Sequence, residues 1–246
     1  MIFVRMLAVA DVHSPRYLNL FIASLSQIAT SSIEIDVVVL AGDMVDRGRI
    51  EYLKPVLEAI HKNICRDRYV PIMAVFGNEE YFDKEEEIVR RFPDVIWLND
   101  NFEELEVKGA KICFVGSRGV LQKPTRWQQK HIPNIAEMYR ERVTKLKELL
   151  RVCRARCDKV ILVTHYAPTF QTVKGEPPAI YGYLGYPLLE QCAQYERPDI
   201  AIHGHAHNSK VLRAVVNGVE VYNVSLPAKG GVTVIEMALD LIQRTY

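Results

Sequence analysis

Aspartates, histidines and one asparagine follow five short apolar runs of the chain. The runs end in Asp11-Val12-His13, Gly42-Asp43, Gly77-Asn78, Thr164-His165 and Gly204-His205-Ala206-His207. Carboxylate, imidazole and amide groups without thiolates are typical ligands of manganese, iron or zinc. Two such ions, roughly 3.5–4 Å apart, can stabilise both the attacking and the leaving oxygen of a hydrolysis reaction. The pattern therefore predicts a two-metal hydrolytic site.

The runs before these residues are short and rich in Val, Ile, Leu and Ala, as buried strands are. They are Val4–Ala10, Asp36–Ala41, Val70–Phe76, Val160–Thr164 and Asp199–Ile202. Five polar strand ends indicate a metal-binding face at one edge of a sheet. Taken alone, His165 could be a core or surface histidine, and Asp43 could cap a helix or begin a turn. All five together favour metal ligation.

The first part of the chain alternates between strand and helix patterns. Strands are predicted at Phe3–Ala10, Asp36–Leu40, Pro71–Phe76 and Val95–Trp97, and helices at Arg16–Thr30, Ile50–Asn63 and Asp83–Phe92. This alternation favours parallel pairing with right-handed crossovers. A long amphipathic helix is predicted later, at Pro133–Arg156.

The second part of the chain has the pattern of antiparallel pieces. They are Phe102–Val107, Gly109–Val115, Val211–Val216, Val219–Val224 and a last strand, Gly231–Glu236. Asn217-Gly218 is a strong signal for a two-residue hairpin turn. We therefore expect an α/β fold in which two mixed β-sheets pack face to face with helices outside, as one domain over residues 1–246.

Composition limits the classes of partner and location. The 246 residues include 31 basic and 30 acidic side chains, so the whole-molecule charge favours neither a nucleic acid nor an acidic surface. No apolar run approaches a membrane span, and the N-terminus lacks the features of a signal peptide. The five cysteines are scattered without a CxxC pair, which predicts free thiols and a cytoplasmic chain. Cys153 and Cys157, one helical turn apart, leave a homo-oligomer open.

The five blocks, in this order, resemble the calcineurin-like metallophosphoesterase family. The resemblance extends from Met1 to about Leu226 and implies a four-layer sandwich, a phosphate-ester substrate and two divalent metal ions. It further implies that a hydroxide bridging the ions attacks phosphorus in line. The implied ligands are Asp11, His13 and His207 for the first metal, Asn78, His165 and His205 for the second, and Asp43 between them.

One position departs from the family pattern. Glu79 stands where members commonly carry a histidine that is thought to protonate the leaving group. A carboxyl group beside a positively charged cluster is held ionised and cannot donate that proton. We therefore expect substrates with good leaving groups, or another acid among Tyr81, Tyr166 and His131. Alternatively, Glu79 only orients a ligand histidine, and Glu80 is expected to support the site from behind the ligands.

Two arginines are candidate phosphate ligands. Arg47 lies in Gly42-Asp43-Met44-Val45-Asp46-Arg47-Gly48, which resembles the block of the serine/threonine phosphatase branch, although Ser14 departs from its companion block. Arg118 follows a predicted strand, and guanidinium groups bind phosphate in a bidentate manner. Both could instead be solvated surface residues.

Three functions remain open from the sequence. A phosphodiesterase or small-ester phosphatase fits the full ligand set best. A non-catalytic scaffold, like the retromer subunit of this fold, is the alternative from another class. A nuclease, like the DNA-break-repair member of the family, would need the basic edge of the Pro133–Arg156 helix, which also carries acidic residues. Two long segments, Ser117–Ile132 and Pro168–Pro187, are candidate pocket walls.

Overall fold

The computed structural model describes residues 2–66 and 68–239 and contains two sheets between layers of helices. The strands are β1 Ile2–Val9, β2 Val37–Ala41, β3 Ile72–Val75, β4 Val95–Leu98, β5 Asn101–Val107, β6 Ala110–Ser117, β7 Lys159–Thr164, β8 Ile200–His203, β9 Arg213–Val216, β10 Val219–Asn223 and β11 Thr233–Leu239. The helices are α1 Leu18–Thr30, α2 Leu53–Ile60, α3 Glu85–Arg91, α4 Arg126–His131, α5 Ile135–Arg156, α6 Leu188–Gln191 and α7 Leu226–Lys229.

Both sheets combine parallel strands with antiparallel strands at one or both edges. The first sheet has the order β11-β1-β2-β3-β4, in which β1 to β4 are parallel and β11 is antiparallel to β1. The second has the order β5-β6-β7-β8-β10-β9, with β5 and β9 antiparallel to their neighbours. The predicted pair of mixed sheets is therefore confirmed.

Central strands send alternate side chains into two different cores, because successive residues of a strand point to opposite faces. In β1, Met6 and Ala8 pack between the sheets, where Phe114 of β6 meets them. Leu7 and Val9 point to the other face and pack with the helices outside the first sheet. This double burial explains why the central strands read as continuous apolar runs and not as alternating ones.

Helices cover the outer face of each sheet. Phe21 and Leu25 of α1 are fully buried with the first sheet's outer core. Leu146 and Leu150 of α5 pack on the outer face of the second sheet, and each fully buried leucine contributes about 1.5–3 kcal/mol. Helix, sheet, sheet and helix form the predicted four layers. Within the described residues, no helix combines the length and apolarity needed to cross a membrane.

The element boundaries differ slightly from the predicted ones. The long helix begins at Ile135, because Asn134 has a left-handed backbone (φ 56°) that the helix cannot include. Asn217 and Gly218 both have positive φ and join β9 to β10, which confirms the hairpin. The segment expected to be one loop, Ser117–Ile132, contains the short helix α4, begun by a capping box at Thr125.

The prediction of five free cysteines is wrong for one pair. Cys113 of β6 and Cys153 of α5 form a disulfide across 40 residues of sequence, while Cys65, Cys157 and Cys192 are free. Sequence spacing did not indicate this pair, because only the packing of α5 on β6 brings the two residues together. The cysteine pattern therefore does not support a cytoplasmic location, which stays a prediction.

Candidate metal centre

The ends of five strands meet at one edge of the sandwich and carry the seven predicted ligands. In the first sheet, Asp11 and His13 follow β1, Asp43 follows β2 and Asn78 follows β3; in the second, His165 follows β7, and His205 and His207 follow β8. The expectation of a site at the edge of one sheet is wrong in this respect. Two sheets packed face to face present their strand ends side by side, so each contributes part of the site.

The first cluster joins Asp11, His13 and His207. His207 Nε2 lies 3.2 Å from Asp11 Oδ1, and His13 Nε2 lies 4.0 Å from the same oxygen. The two imidazole Nε2 atoms are 3.5 Å apart. The three ligand atoms thus surround a common point, and the group could hold a metal ion.

The second cluster joins Asp43, His165 and His205 and could hold another ion. His165 Nε2 lies 3.3 Å from Asp43 Oδ2 and 3.1 Å from Asn78 Oδ1. Asp43 Oδ2 is also 3.8 Å from His13 Nε2 of the first cluster. One carboxylate oxygen therefore faces both clusters, which is the position of a bridging ligand.

The donors in the first cluster fit a divalent cation. Asp11 is completely buried, and its Oδ1 lies 3.2 Å from His207 Nε2 but accepts no hydrogen bond of good geometry. A buried charged oxygen without a hydrogen bond is costly and rare in folded proteins. The cluster contains oxygen and imidazole nitrogen donors without thiolates, a set that suits manganese, iron or zinc. A cation between these groups would satisfy the lone pairs that the protein leaves free.

The charges of the two clusters are set by burial and by mutual contact. Burial raises the pKa of Asp11 and of Asp43, but His207 and His165 outweigh it and hold both pKa values below the usual range. Burial lowers the pKa of His165, and the charge of Asp43 overcomes this and raises it to about 9. Burial and the charge of His165 lower the pKa of His205 to about 4. The aspartates are therefore ionised, whereas His165 must release a proton before it can bind a metal.

Backbone carbonyls fix which nitrogen of each second-cluster histidine is free. His165 Nδ1 lies 3.0 Å from the oxygen of Ala41, and His205 Nε2 lies 3.2 Å from the oxygen of Tyr183. A carbonyl can only accept, so these nitrogens carry the hydrogens. In the neutral imidazoles, His165 Nε2 and His205 Nδ1 then carry the lone pairs. Such outer contacts orient metal ligands in proteins.

Glu80 ties together the two loops that carry Asp43 and Asn78. Its Oε2 accepts the N–H groups of Asp43 and Gly77, at 2.8 and 2.7 Å, and its Oε1 accepts two further N–H groups of the Asp43 loop. Burial and the charge of Asp43 raise the pKa of Glu80 to about 7, although the hydrogen bonds from these N–H groups act to lower it. Glu80 therefore supports the site from behind the ligands, through the backbone of the loops that carry Asp43 and Asn78.

Four of the seven candidate ligands have a left-handed backbone: Asp11 (φ 60°), His13 (φ 41°), Asp43 (φ 55°) and His205 (φ 68°). Residues other than glycine rarely adopt this conformation, which costs of order 1–3 kcal/mol and clusters at functional sites. Gly77 permits the tightest approach, since a Cβ there would clash with the Asp43 carboxylate. The orientation of these side chains therefore comes with local backbone strain.

Glu79 contacts the backbone next to the site. Its Oε2 accepts the N–H of Arg47 at 2.7 Å, and its Oε1 is 3.4 Å from the Asn78 amide nitrogen. It therefore contacts a candidate asparagine ligand, and it also forms a cluster with Asp46 and His13, in which the possible ligand atoms lie within 4.8 Å of one another. The Arg47 side chain is 74% exposed, so its guanidinium is accessible to a substrate.

Arg118 is only 2% exposed, and protein acceptors surround its guanidinium. It donates to the oxygens of Gly77 and Glu80, lies 2.5 Å from Glu85 Oε1 and stacks over the Phe82 ring. A phosphate would have to displace these partners. We therefore propose Arg118 as a positioning residue for the Gly77–Glu80 turn and not as the phosphate ligand predicted from the sequence.

Two hollows adjoin the clusters. One, of about 430 Å³, lies directly over them and is lined by seven of the predicted site residues: His13, Asp43, Arg47, Asn78, Glu79, His205 and His207. The other hollow has a volume of about 730 Å³, and we call it the side cleft. The residues that line the side cleft are Asn78, Glu79, Tyr81, Phe82, Asp83, Arg118, Leu121, Thr125, Trp127, Gln128, His131, Ile132, Pro133, Met138, Tyr166 and His205. Tyr81, Tyr166 and His131, the possible replacement acids, line the side cleft and not the first pocket.

The residues that support the Gly204–His207 loop were not predicted from the sequence. His203 is fully buried, with Nε2 2.7 Å from Thr172 Oγ1 and Nδ1 2.8 Å from the Gly204 oxygen. Asn223 donates to the oxygen of Ala206. His203 lies two residues before the ligand pair, and this spacing is the one local hint.

Comparisons with known proteins agree with this geometry. The chain has no significant match among curated protein sequences. Among solved structures, it is similar to a phosphopantetheinyl hydrolase of Mycobacterium tuberculosis, with TM-score 0.61, 16% identity and coverage of 92% of this chain and 90% of that chain. It is also similar to GAP50, the anchor in the inner membrane complex of Plasmodium, with TM-score 0.63, 14% identity and coverage of 97% and 82%.

A third similar structure is an NAD nucleotidase of Haemophilus influenzae, with TM-score 0.56, 13% identity and coverage of 97% of this chain and 56% of that chain. At these identities the likeness shows the fold alone. A family model, however, matches residues 4–209, which include every predicted ligand. The chain therefore belongs to the calcineurin-like phosphoesterase family.

Proposed function

We propose that the protein is a metal-dependent phosphohydrolase that acts on phosphodiesters or small phosphate esters with a dinuclear centre. The observation that carries this proposal is the meeting of two candidate metal clusters at Asp43 Oδ2, within a phosphoesterase-family chain. Manganese, iron and zinc all suit the donor set.

The seven side chains divide into two ligand sets. Asp11, His13 and His207 would hold one ion, Asn78, His165 and His205 the other, and Asp43 would contact both. When bound, the pair of ions would supply an activated water as nucleophile and neutralise charge on the phosphate oxygens. The exposed Arg47 guanidinium, at the rim of the pocket over the clusters, would bind a further phosphate oxygen.

The identity of residue 79, a glutamate, is the basis for the substrate preference that we propose. Glu79 lines the pocket at the position where the family commonly has a proton-donating histidine, and an ionised carboxylate there cannot protonate a leaving group. Burial raises the pKa of Tyr166 above its usual value, so its hydroxyl is a weak proton donor. Esters whose leaving groups are stable as anions, such as aryl phosphodiesters, are therefore the favoured substrates.

The direct test is turnover of bis(p-nitrophenyl) phosphate by the full chain with manganese, zinc or iron, before and after chelation. We expect chelation to abolish turnover, and Asp43→Asn to reduce it by at least about a hundredfold. Asp94→Asn, at an exposed position, is the matched control. Metal-independent turnover, or full activity in Asp43→Asn, would contradict the proposal.

A non-catalytic scaffold is the second candidate, because the fold is similar to that of GAP50, which is described as an anchor. The same assay separates the two functions, since a scaffold would bind metal without turnover. A nucleic-acid substrate is not favoured. On the basic edge of α5, Lys147 donates to the Gln191 oxygen and Arg154 lies 3.0 Å from Asp199 Oδ2, so these cations are engaged within the protein.

A further inference from the structure

The side cleft opens beside the metal clusters. Asn78, Glu79 and His205 line both the side cleft and the pocket over the clusters, so the two hollows adjoin at these side chains. The ring of Tyr166, inside the side cleft, has its centroid 4.9 Å from that of His205 and 5.4 Å from that of His165. A group attached to a phosphate at the clusters could therefore reach into the side cleft.

The walls of the side cleft are largely aromatic and aliphatic. Tyr166 and Leu121 are buried beside it, while Phe82 and Trp127 line it although they are 44% and 62% exposed. Met138 of α5 adds a flexible apolar side chain that can adapt to a ligand. Exposed aromatic side chains gathered around a concave surface are typical of a binding site.

The charges of the side cleft argue against an anionic occupant. Among the described residues that line it, Arg118 is the one lysine or arginine, and Gly77, Glu80 and Glu85 already engage its guanidinium. Asp83 and Glu79 add negative charge. A second phosphate or a polyanionic chain would be repelled, whereas an uncharged ring would stack on the aromatic walls.

We propose that the side cleft binds an uncharged aromatic group, an aryl ring or a nucleobase, carried by the phosphate ester. Its volume of about 730 Å³ is in the range of small-molecule sites, roughly 300–1,000 Å³. The assignment rests on the proposed function for the position of the phosphate. It makes Trp127 and Met138 specificity residues supplied by α4 and α5.

The test compares phenylphosphonate with methylphosphonate, because both are phosphonates with a non-hydrolysable P–C bond and differ in the aromatic ring. Calorimetric titration of the zinc-loaded full chain measures their affinities without turnover. We expect phenylphosphonate to bind about tenfold more tightly, equal to about 1.4 kcal/mol. Trp127→Ala should reduce this ratio several-fold without weakening methylphosphonate, and the half-buried Met138→Gln should also lower it.

Tyr195→Ala is the matched control, since Tyr195 is a 58% exposed aromatic residue outside the side cleft, and it should leave the ratio unchanged. Equal affinities in the wild type, or an unchanged ratio in both cleft variants, would overturn the proposal. Adenosine and phenol, used as competitors of phenylphosphonate, distinguish a nucleobase site from a site for an aryl ring. Competition by either compound supports the proposal. Bis(p-nitrophenyl) phosphate turnover by the same zinc-loaded protein reports separately on the proposed function.

Discussion

Replacing Arg118 by methionine distinguishes a positioning arginine from a phosphate-binding one. Methionine preserves much of the length and apolar volume of the side chain but removes every donor. In the wild type the buried guanidinium serves the oxygens of Gly77 and Glu80 and the carboxylate of Glu85. Removing it would leave two carbonyl oxygens without that donor.

The expected cost follows from these contacts. A buried polar group left without a partner costs about 1–3 kcal/mol, so the two carbonyls together give about 2–6 kcal/mol. The lost contact with Glu85 adds less to this cost, because the other carboxylate oxygen of Glu85 still accepts a hydrogen bond from the Asn99 side-chain amide at 2.9 Å. We therefore expect Arg118→Met to destabilise the metal-free protein by about 4 kcal/mol, in the range for breaking a buried ion pair.

Urea unfolding at pH 7.5, followed by circular dichroism, measures this difference. Arg47→Met is the matched control: its exposed guanidinium should leave the free energy of unfolding within about 0.5 kcal/mol. Its turnover of bis(p-nitrophenyl) phosphate should nevertheless fall about tenfold or more. If Arg118→Met unfolds at the wild-type urea concentration and loses only substrate affinity, the positioning role is refuted and the phosphate role restored.

Three further outcomes are expected. His207→Ala should lose one bound ion per chain by elemental analysis and retain the other, because its partners Asp11 and His13 do not belong to the second cluster; loss of both ions would show that the clusters are not separable. Apparent metal affinity, measured against a chromogenic chelator, should rise with pH from 7 towards about 9, because Asp43 raises the pKa of His165 to about 9 and a metal must displace that proton. A pH-independent affinity would show that no proton is displaced. Glu79→His should accelerate hydrolysis of alkyl esters more than of p-nitrophenyl esters, and equal gains on both would contradict the leaving-group argument.

Much of the fold could be predicted from local pattern. The strand and helix alternation from Phe3 to Phe92 follows from side-chain periodicity, and the Asn217-Gly218 turn follows from the backbone freedom of those residue types. The chemistry of the site could also be predicted, because apolar runs ending in Asp, His and Asn bring metal-compatible donors to strand ends.

The roles of Arg118 and Glu80 could not be predicted in this way. Both look like site residues in the sequence, but their contacts lie mainly in other segments: Arg118 reaches Gly77, 41 residues away, and Glu80 reaches Asp43, 37 residues away. A side chain's partners depend on which backbone groups the fold leaves unpaired, and that information is absent from local spacing.

The sequence by itself determined which side chains have metal-compatible donors and the order in which the strands present them. Only the tertiary structure decided that the ligands come from two sheets, that Asp43 faces both clusters, and that Cys113 meets Cys153. It also decided that aromatic residues from distant segments surround a cleft beside the two candidate metal clusters. The physical reason is that residue type and periodicity act over a few positions, whereas the packing of one sheet on another sets distances between residues far apart in the chain.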